Sequence, residues 1–179
     1  ENKAAARGDF RTLKINEWLA DGEISFVEEW LELYNPSPWP VDMGGLYVTD
    51  DPVADPNKCQ LPPLSFIGGL GYAKLTAGGK DVTFSLNADG EMLALYDADL
   101  NPIDNVIYGP QTTDISMGRW PDGASTLAFF DIPTPGAANP KGPAIIETTL
   151  PILAENAAKR VWIPSAEVDS AWKGGSPFD

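Results

Sequence analysis

EEWLELYNPSPWPVDMGGLYVTDD, Glu28 to Asp51, is the stretch whose reading decides the fold. In Trp30-Leu31-Glu32-Leu33-Tyr34 the leucines fall on one side of an extended chain, and Trp30, Glu32 and Tyr34 on the other. Asn35-Pro36 then forces the chain out of its strand, and Gly44-Gly45 permits a turn with positive φ before Leu46–Thr49 resumes an apolar run. The segment therefore predicts two short strands and their connection. It is also crowded with carboxylates and aromatic rings, which raises a chemical reading. A glycosidase needs two acids roughly 5–9.5 Å apart across a sugar. Glu28, Glu29 and Glu32 lie on or beside one predicted strand, and Glu32 shares its face with Trp30. A half-exposed sheet surface accounts for the same pattern. Sugar or partner binding without chemistry, through Trp39, Trp30 or Tyr47, stands as a further reading.

Outward from this stretch the texture repeats. Apolar runs bounded by Gly, Pro, Asn and Asp occur at Leu13–Leu19, Tyr72–Thr76, Val82–Leu86, Met92–Tyr96, Ile103–Tyr108 and Leu127–Phe130. Turn chemistry separates them at Gly78-Gly79, Asp89-Gly90, Asn101-Pro102 and Asp122-Gly123. Asp89-Gly90 suits a tight hairpin joining Phe84–Leu86 to Met92–Tyr96. Strands spaced this closely, with no helix of ten or more residues between them, predict an all-β sandwich or barrel of mostly antiparallel strands. The segment PTPGAANPKGP, Pro133 to Pro143, reads as a linker, because its four prolines preclude a regular element. Beyond it, Leu150–Lys159 suggests a short helix and KRVWIPS a strand, the start of a further module cut short. The expected organisation is thus an N-terminal flank (1–12), a β-sandwich domain (13–139) and a C-terminal extension (140–179).

The chain's 179 residues suffice to bury a core without disulfide or metal, and 43% of them are hydrophobic. Net charge is −14, from 26 acidic and 12 basic side chains. Nucleic-acid binding needs clustered Lys and Arg, which are absent, and an anionic membrane surface would repel such a chain. Acidity of this degree fits a solvated surface and is common among proteins working outside cells, although charge alone locates nothing. There is no histidine, which removes Ser-His-Asp and Cys-His catalysis and His-ligated metals. Cys59, the one cysteine, reads as a small buried hydrophobe rather than a nucleophile. The start, ENKAAARGDF, reads as a fragment of a longer protein.

Three further motifs carry chemistry at first sight. DADLNPID, Asp97 to Asp104, spaces acidic and amide side chains as a calcium loop does. Pro102 and Tyr108, however, stand where such a loop needs Gly and a bidentate Glu, so a hairpin turn is expected. In TDDPVADPN, Thr49 to Asn57, Asp50, Asp51 and Asp55 form a weaker calcium candidate, against ordinary turn chemistry. GGLGYAK and TAGGKD fail both nucleotide fingerprints, since Lys74 replaces a required glycine in each and Asp81 follows Lys80. Both are expected to be turns.

Several ordered motifs together resemble the lamin tail domain, in the form found in large bacterial secreted or surface proteins. They are LKINEWLA (Leu13–Ala20), WLELYNPSPWPVDMGGLYVTDDP (Trp30–Pro52), FSLNADGEMLALYDADLNPIDNVIYG (Phe84–Gly109), SMGRWPDG (Ser116–Gly123) and IPTPGAAN (Ile132–Asn139). The Pro38-Trp39-Pro40 insertion and Cys59-Gln60-Leu61 depart from the family pattern. The resemblance implies an immunoglobulin-like β-sandwich and no catalytic residues or cofactor. It implies an accessory module for attachment, targeting or spacing, with a protein or cell-surface polymer as partner. Arg119 is expected to pair structurally with one of the acidic side chains. A carbohydrate-binding module using exposed aromatics is the alternative, and a calcium-stabilised adhesion domain the next.

Overall fold

The computed structural model describes residues 6–140. The helix, the strand and the further module expected after Pro143 lie outside the described residues.

The described chain is all-β, with one 3-10 turn, Phe10–Thr12, capped by the Asp9 carboxylate. The strands are β1 (Lys14–Leu19), β2 (Trp30–Tyr34), β3 (Val41–Asp42), β4 (Tyr47–Thr49), β5 (Cys59–Gln60), β6 (Phe66–Ile67), β7 (Tyr72–Thr76), β8 (Glu91–Tyr96), β9 (Pro102–Tyr108), β10 (Ser116–Arg119) and β11 (Leu127–Phe130). A five-stranded sheet runs β11-β10-β1-β2-β7, a four-stranded sheet β5-β4-β8-β9, and β3 pairs with β6 as a small ribbon. Every pairing is antiparallel.

The two larger sheets enclose the core. Ile15, Trp18, Leu31, Leu33 and Leu75 come from the first, with Leu13 just before β1; Val48, Leu93, Leu95, Val106 and Tyr108 come from the second. Trp18 and Tyr108 meet across the gap with ring centroids 5.4 Å apart. Burial of aromatic and branched side chains from two inner faces is what lets such short strands hold together. Along one side the sandwich is clamped by Arg119 of β10, which pairs with Asp104 of β9 at 3.0 Å and is the structural ion pair expected from the sequence. The same Asp104 carboxylate accepts from the Ile15 amide (2.9 Å) and from Lys14 Nζ (3.2 Å).

One expected strand is absent. Val82, Phe84 and Leu86 are buried while Thr83 and Ser85 are exposed, so the period-two pattern is real. Yet this segment joins no ladder, and its backbone is held by turn bonds from Gly78 and Gly79 and by the Glu29 carboxylate on the Leu86 amide. Alternation reports which side chains face the core, and an extended edge can satisfy it without pairing. The Asp89-Gly90 turn exists, with Gly90 at φ 109°, but β8 makes its hairpin with β9 instead of with Phe84–Leu86.

Candidate functional site: a buried carboxylate pair beneath a Pro-Gly strap

The outer face of the five-stranded sheet is not left to water. Its register brings Glu17 of β1 directly opposite Glu32 of β2, and both side chains are fully buried. A bulge at Asn16 sets this up. Ile15 pairs with Leu33 and Glu17 with Glu32, so Asn16 is an extra residue that lets Ile15 and Trp18 both face the core while Glu17 faces out. Like charges directly opposite on a sheet repel. Burial makes such a pair costly unless donors surround it or a proton neutralises it.

Both remedies are present. Glu17 Oε1 accepts from Ser116 Oγ (2.5 Å) and from the Thr134 amide (3.0 Å), and its Oε2 accepts from Thr134 Oγ1 (2.9 Å). Glu32 Oε2 accepts from the Gly136 amide, whereas Glu32 Oε1 is buried without a partner. Burial pushes the Glu32 carboxyl up to about 8 against the pull of the Gly136 N–H, and the Glu17 charge adds to the rise. Burial likewise raises Glu17, opposed by its bonds to Ser116 and Thr134. At neutral pH Glu32 therefore holds its proton.

Beside the pair lies a second carboxylate hub. Asp122 accepts from Asn16 Nδ2 (2.9 Å), Tyr72 Oη (2.7 Å) and the Asn139 amide (3.0 Å). Burial and that bond push the Tyr72 phenol up. Asn139 Nδ2 in turn donates to the Arg119 carbonyl (2.7 Å) and the Asn16 carbonyl (3.3 Å). The approach is so close that a Cβ on Gly118 would lie 2.5 Å from the Asn16 oxygen and 3.0 Å from Asn139 Nδ2.

Thr134, Gly136 and Asn139 belong to IPTPGAAN, the segment expected to open a linker. It has no regular structure, as its prolines dictate, but it is no loose tether. It lies as a strap over the sheet, with Gly136 turning at φ 84° to point its amide at Glu32 and Asn139 buried at the far end. The linker expectation is corrected for Pro133–Pro140. The rest of that segment lies outside the described residues.

The other expected sites separate. The three glutamates of the opening stretch diverge: Glu28 faces exposed Lys80 at 3.5 Å, Glu29 caps the Leu86 amide, and Glu32 lies beneath the strap. The expectation of a half-exposed face at Glu32 is thereby overturned. Trp30, one of the expected partner-facing aromatics, is fully buried on the outer face of the five-stranded sheet, its ring edge-on to Phe26 at 6.2 Å. Tyr47 is half-buried in the four-stranded sheet, opposite Tyr96, so Trp30 and Tyr47 lie on different sheets and form no shared platform. Trp39 is 53% exposed on a connection pinned by Asn35, whose amide donates to the Trp39 carbonyl at 2.8 Å.

Asp50 pairs with Lys58 at 2.6 Å, Asp51 caps the Ala54 amide, and among the described residues no group of three or more acidic or thiol side chains is placed to hold a metal. Asp97 accepts from the Asp99 and Asn101 amides in a turn between β8 and β9, as expected of a hairpin. Cys59 is buried. Gly78 and Gly79 turn with positive φ. A cavity of about 650 Å³ is lined by Arg7, Asp9, Phe10, Asp42 and Leu46, and by none of Glu17, Glu32 and Asp122.

Sequence reasoning missed Glu17, Asp122, Thr134, Gly136 and Asn139 as a set. The available signal was Glu17 in the apolar run Leu13–Leu19, together with a Pro-rich segment that ends in Asn. No protein-family model, no curated protein and no solved structure matches this chain.

Proposed function

We propose that this chain is a non-catalytic accessory module, an immunoglobulin-like sandwich of the lamin-tail kind. In this reading it belongs to a larger bacterial secreted or cell-surface protein and serves attachment, targeting or spacing. The observation that carries the reading is the fate of the carboxylates. Two facing carboxyls, one with a raised pKa, are the kind of pairing that acid–base catalysis uses, but here both are fully buried and roofed by Thr134 and Gly136. A general acid must come within hydrogen-bond reach of a substrate atom. The other acids described above are bound in caps, turns and ion pairs.

Trp39 favours one specific alternative: its half-exposed ring on a pinned connection suits stacking on a sugar. A glycan array with the purified chain and with Trp39→Ala separates the readings. The accessory reading predicts no glycan signal that depends on Trp39; a signal lost in Trp39→Ala establishes the sugar-binding module. Trp39→Ala itself is expected to change folding stability by less than about 0.5 kcal/mol, checked by thermal melting. Turnover that Glu29→Gln or Glu32→Gln abolishes, with the fold intact, would overturn the non-catalytic reading altogether.

A further inference from the structure

We propose that the Glu17–Glu32 pair is a proton lock on the strap: the proton held by the pair keeps Ile132–Pro140 closed over the sheet, and rising pH releases it. The geometry supplies each part. The pair faces Ser116 from β10, Tyr72 and Lys74 from β7, Asp122 from the turn after β10, and Thr134 and Gly136 from the strap. Lys74 is the cross-strand neighbour of Glu32 but is exposed and forms no ion pair with it, so no cation offsets a second charge there. Asp122 adds a further negative group to the surroundings of both glutamates.

Ionising Glu32 would therefore leave Glu32 Oε1, already without a partner, as part of a buried anion opposite a second carboxyl and near the Asp122 carboxylate. Relief requires water. The four strands around the pair, β1, β2, β7 and β10, are ladder-bonded, whereas the strap joins no ladder and is attached through Thr134, Gly136 and Asn139. Opening the strap is the route that breaks the fewest bonds. Once open, Glu32 regains the ordinary carboxyl range near 4.5 while the closed form stays near 8. Between those values the opening equilibrium gains up to about tenfold per pH unit.

The test is amide hydrogen exchange of Gly136 on the full chain, with intrinsic base catalysis divided out, between pH 5.5 and 9. The expected result is an opening constant that climbs steeply to about pH 8 and then levels, and that loses most of this slope in Glu32→Gln. A flat profile in the unaltered chain, or the same slope in Glu32→Gln, overturns the lock. Should Glu32→Gln fail to fold, carboxyl carbon NMR of the unaltered chain decides. A Glu32 midpoint well above that of ordinary carboxyls supports the lock, and one near 4.5 overturns it.

Discussion

Asp104 and Glu32 show two ways of burying an acid. Asp104, on β9 of the four-stranded sheet, sits among donors from β1 and β10 of the other sheet: Arg119 Nη2, the Ile15 amide and Lys14 Nζ. Removing one partner of a buried ion pair leaves the other charge uncompensated, typically at several kcal/mol. Asp104→Ala is accordingly expected to lower unfolding free energy by about 3 kcal/mol in denaturant titration. Arg119→Lys should also destabilise, because the guanidinium additionally donates to the Ile15 and Ala124 carbonyls, a fork no ammonium reproduces. Glu32 takes the other route and keeps its proton. Its carboxyl stands near 8 in the fold against an ordinary 4.5. The stabilisation from this proton is complete below pH 4.5 and is lost as pH rises toward 8. Stability should fall by up to about 1.4 kcal/mol per pH unit across that window, less in Glu32→Gln. The sequence showed on which side of β2 Glu32 lies. It could not show the cover over that side, because the cover is irregular chain about a hundred residues later, joined through a bond at |i−j| = 104.

At the scale of elements, irregular segments do the covering. The strap roofs Glu17 and Glu32, and the loop between β1 and β2 brings Phe26 against Trp30. That loop is shaped by Asp114, whose carboxylate accepts from the Glu23, Ile24 and Ser25 amides and is held below its ordinary 3.8 by them. A depressed carboxyl stabilises above its ordinary value and loses that contribution as pH falls through the lowered one. The amides of Glu23–Ser25 should therefore lose exchange protection in acid below about pH 3.8, and at all pH values in Asp114→Ala. Strands with strong apolar alternation were legible: β2 and β7 coincide with their predicted ranges. The two-residue strands β3, β5 and β6 were not, since two residues carry no periodicity. Val82–Leu86 shows the converse, alternation without a ladder.

For the molecule as a whole, the all-β class followed from closely spaced turns and short apolar runs, and the antiparallel sandwich bears it out. Among the described residues no helix is long and apolar enough to cross a membrane. IPTPGAAN closes the expected domain at residue 139, yet from Pro133 it also read as a linker, because its prolines preclude a regular element. Its role is instead to close the outer face of the five-stranded sheet, and its last residue ties β1 to β10 through the Asn16 and Arg119 carbonyls. That central claim is tested most directly by the unfolding free energy of Asn139→Ala. The side chain is buried, so its loss removes a donor from two carbonyls, each bond worth about 1 kcal/mol or more. A closing element predicts a loss of at least about 2 kcal/mol and a clear fall in melting temperature. A change within about 0.5 kcal/mol, as expected of a surface residue in a linker, would contradict it.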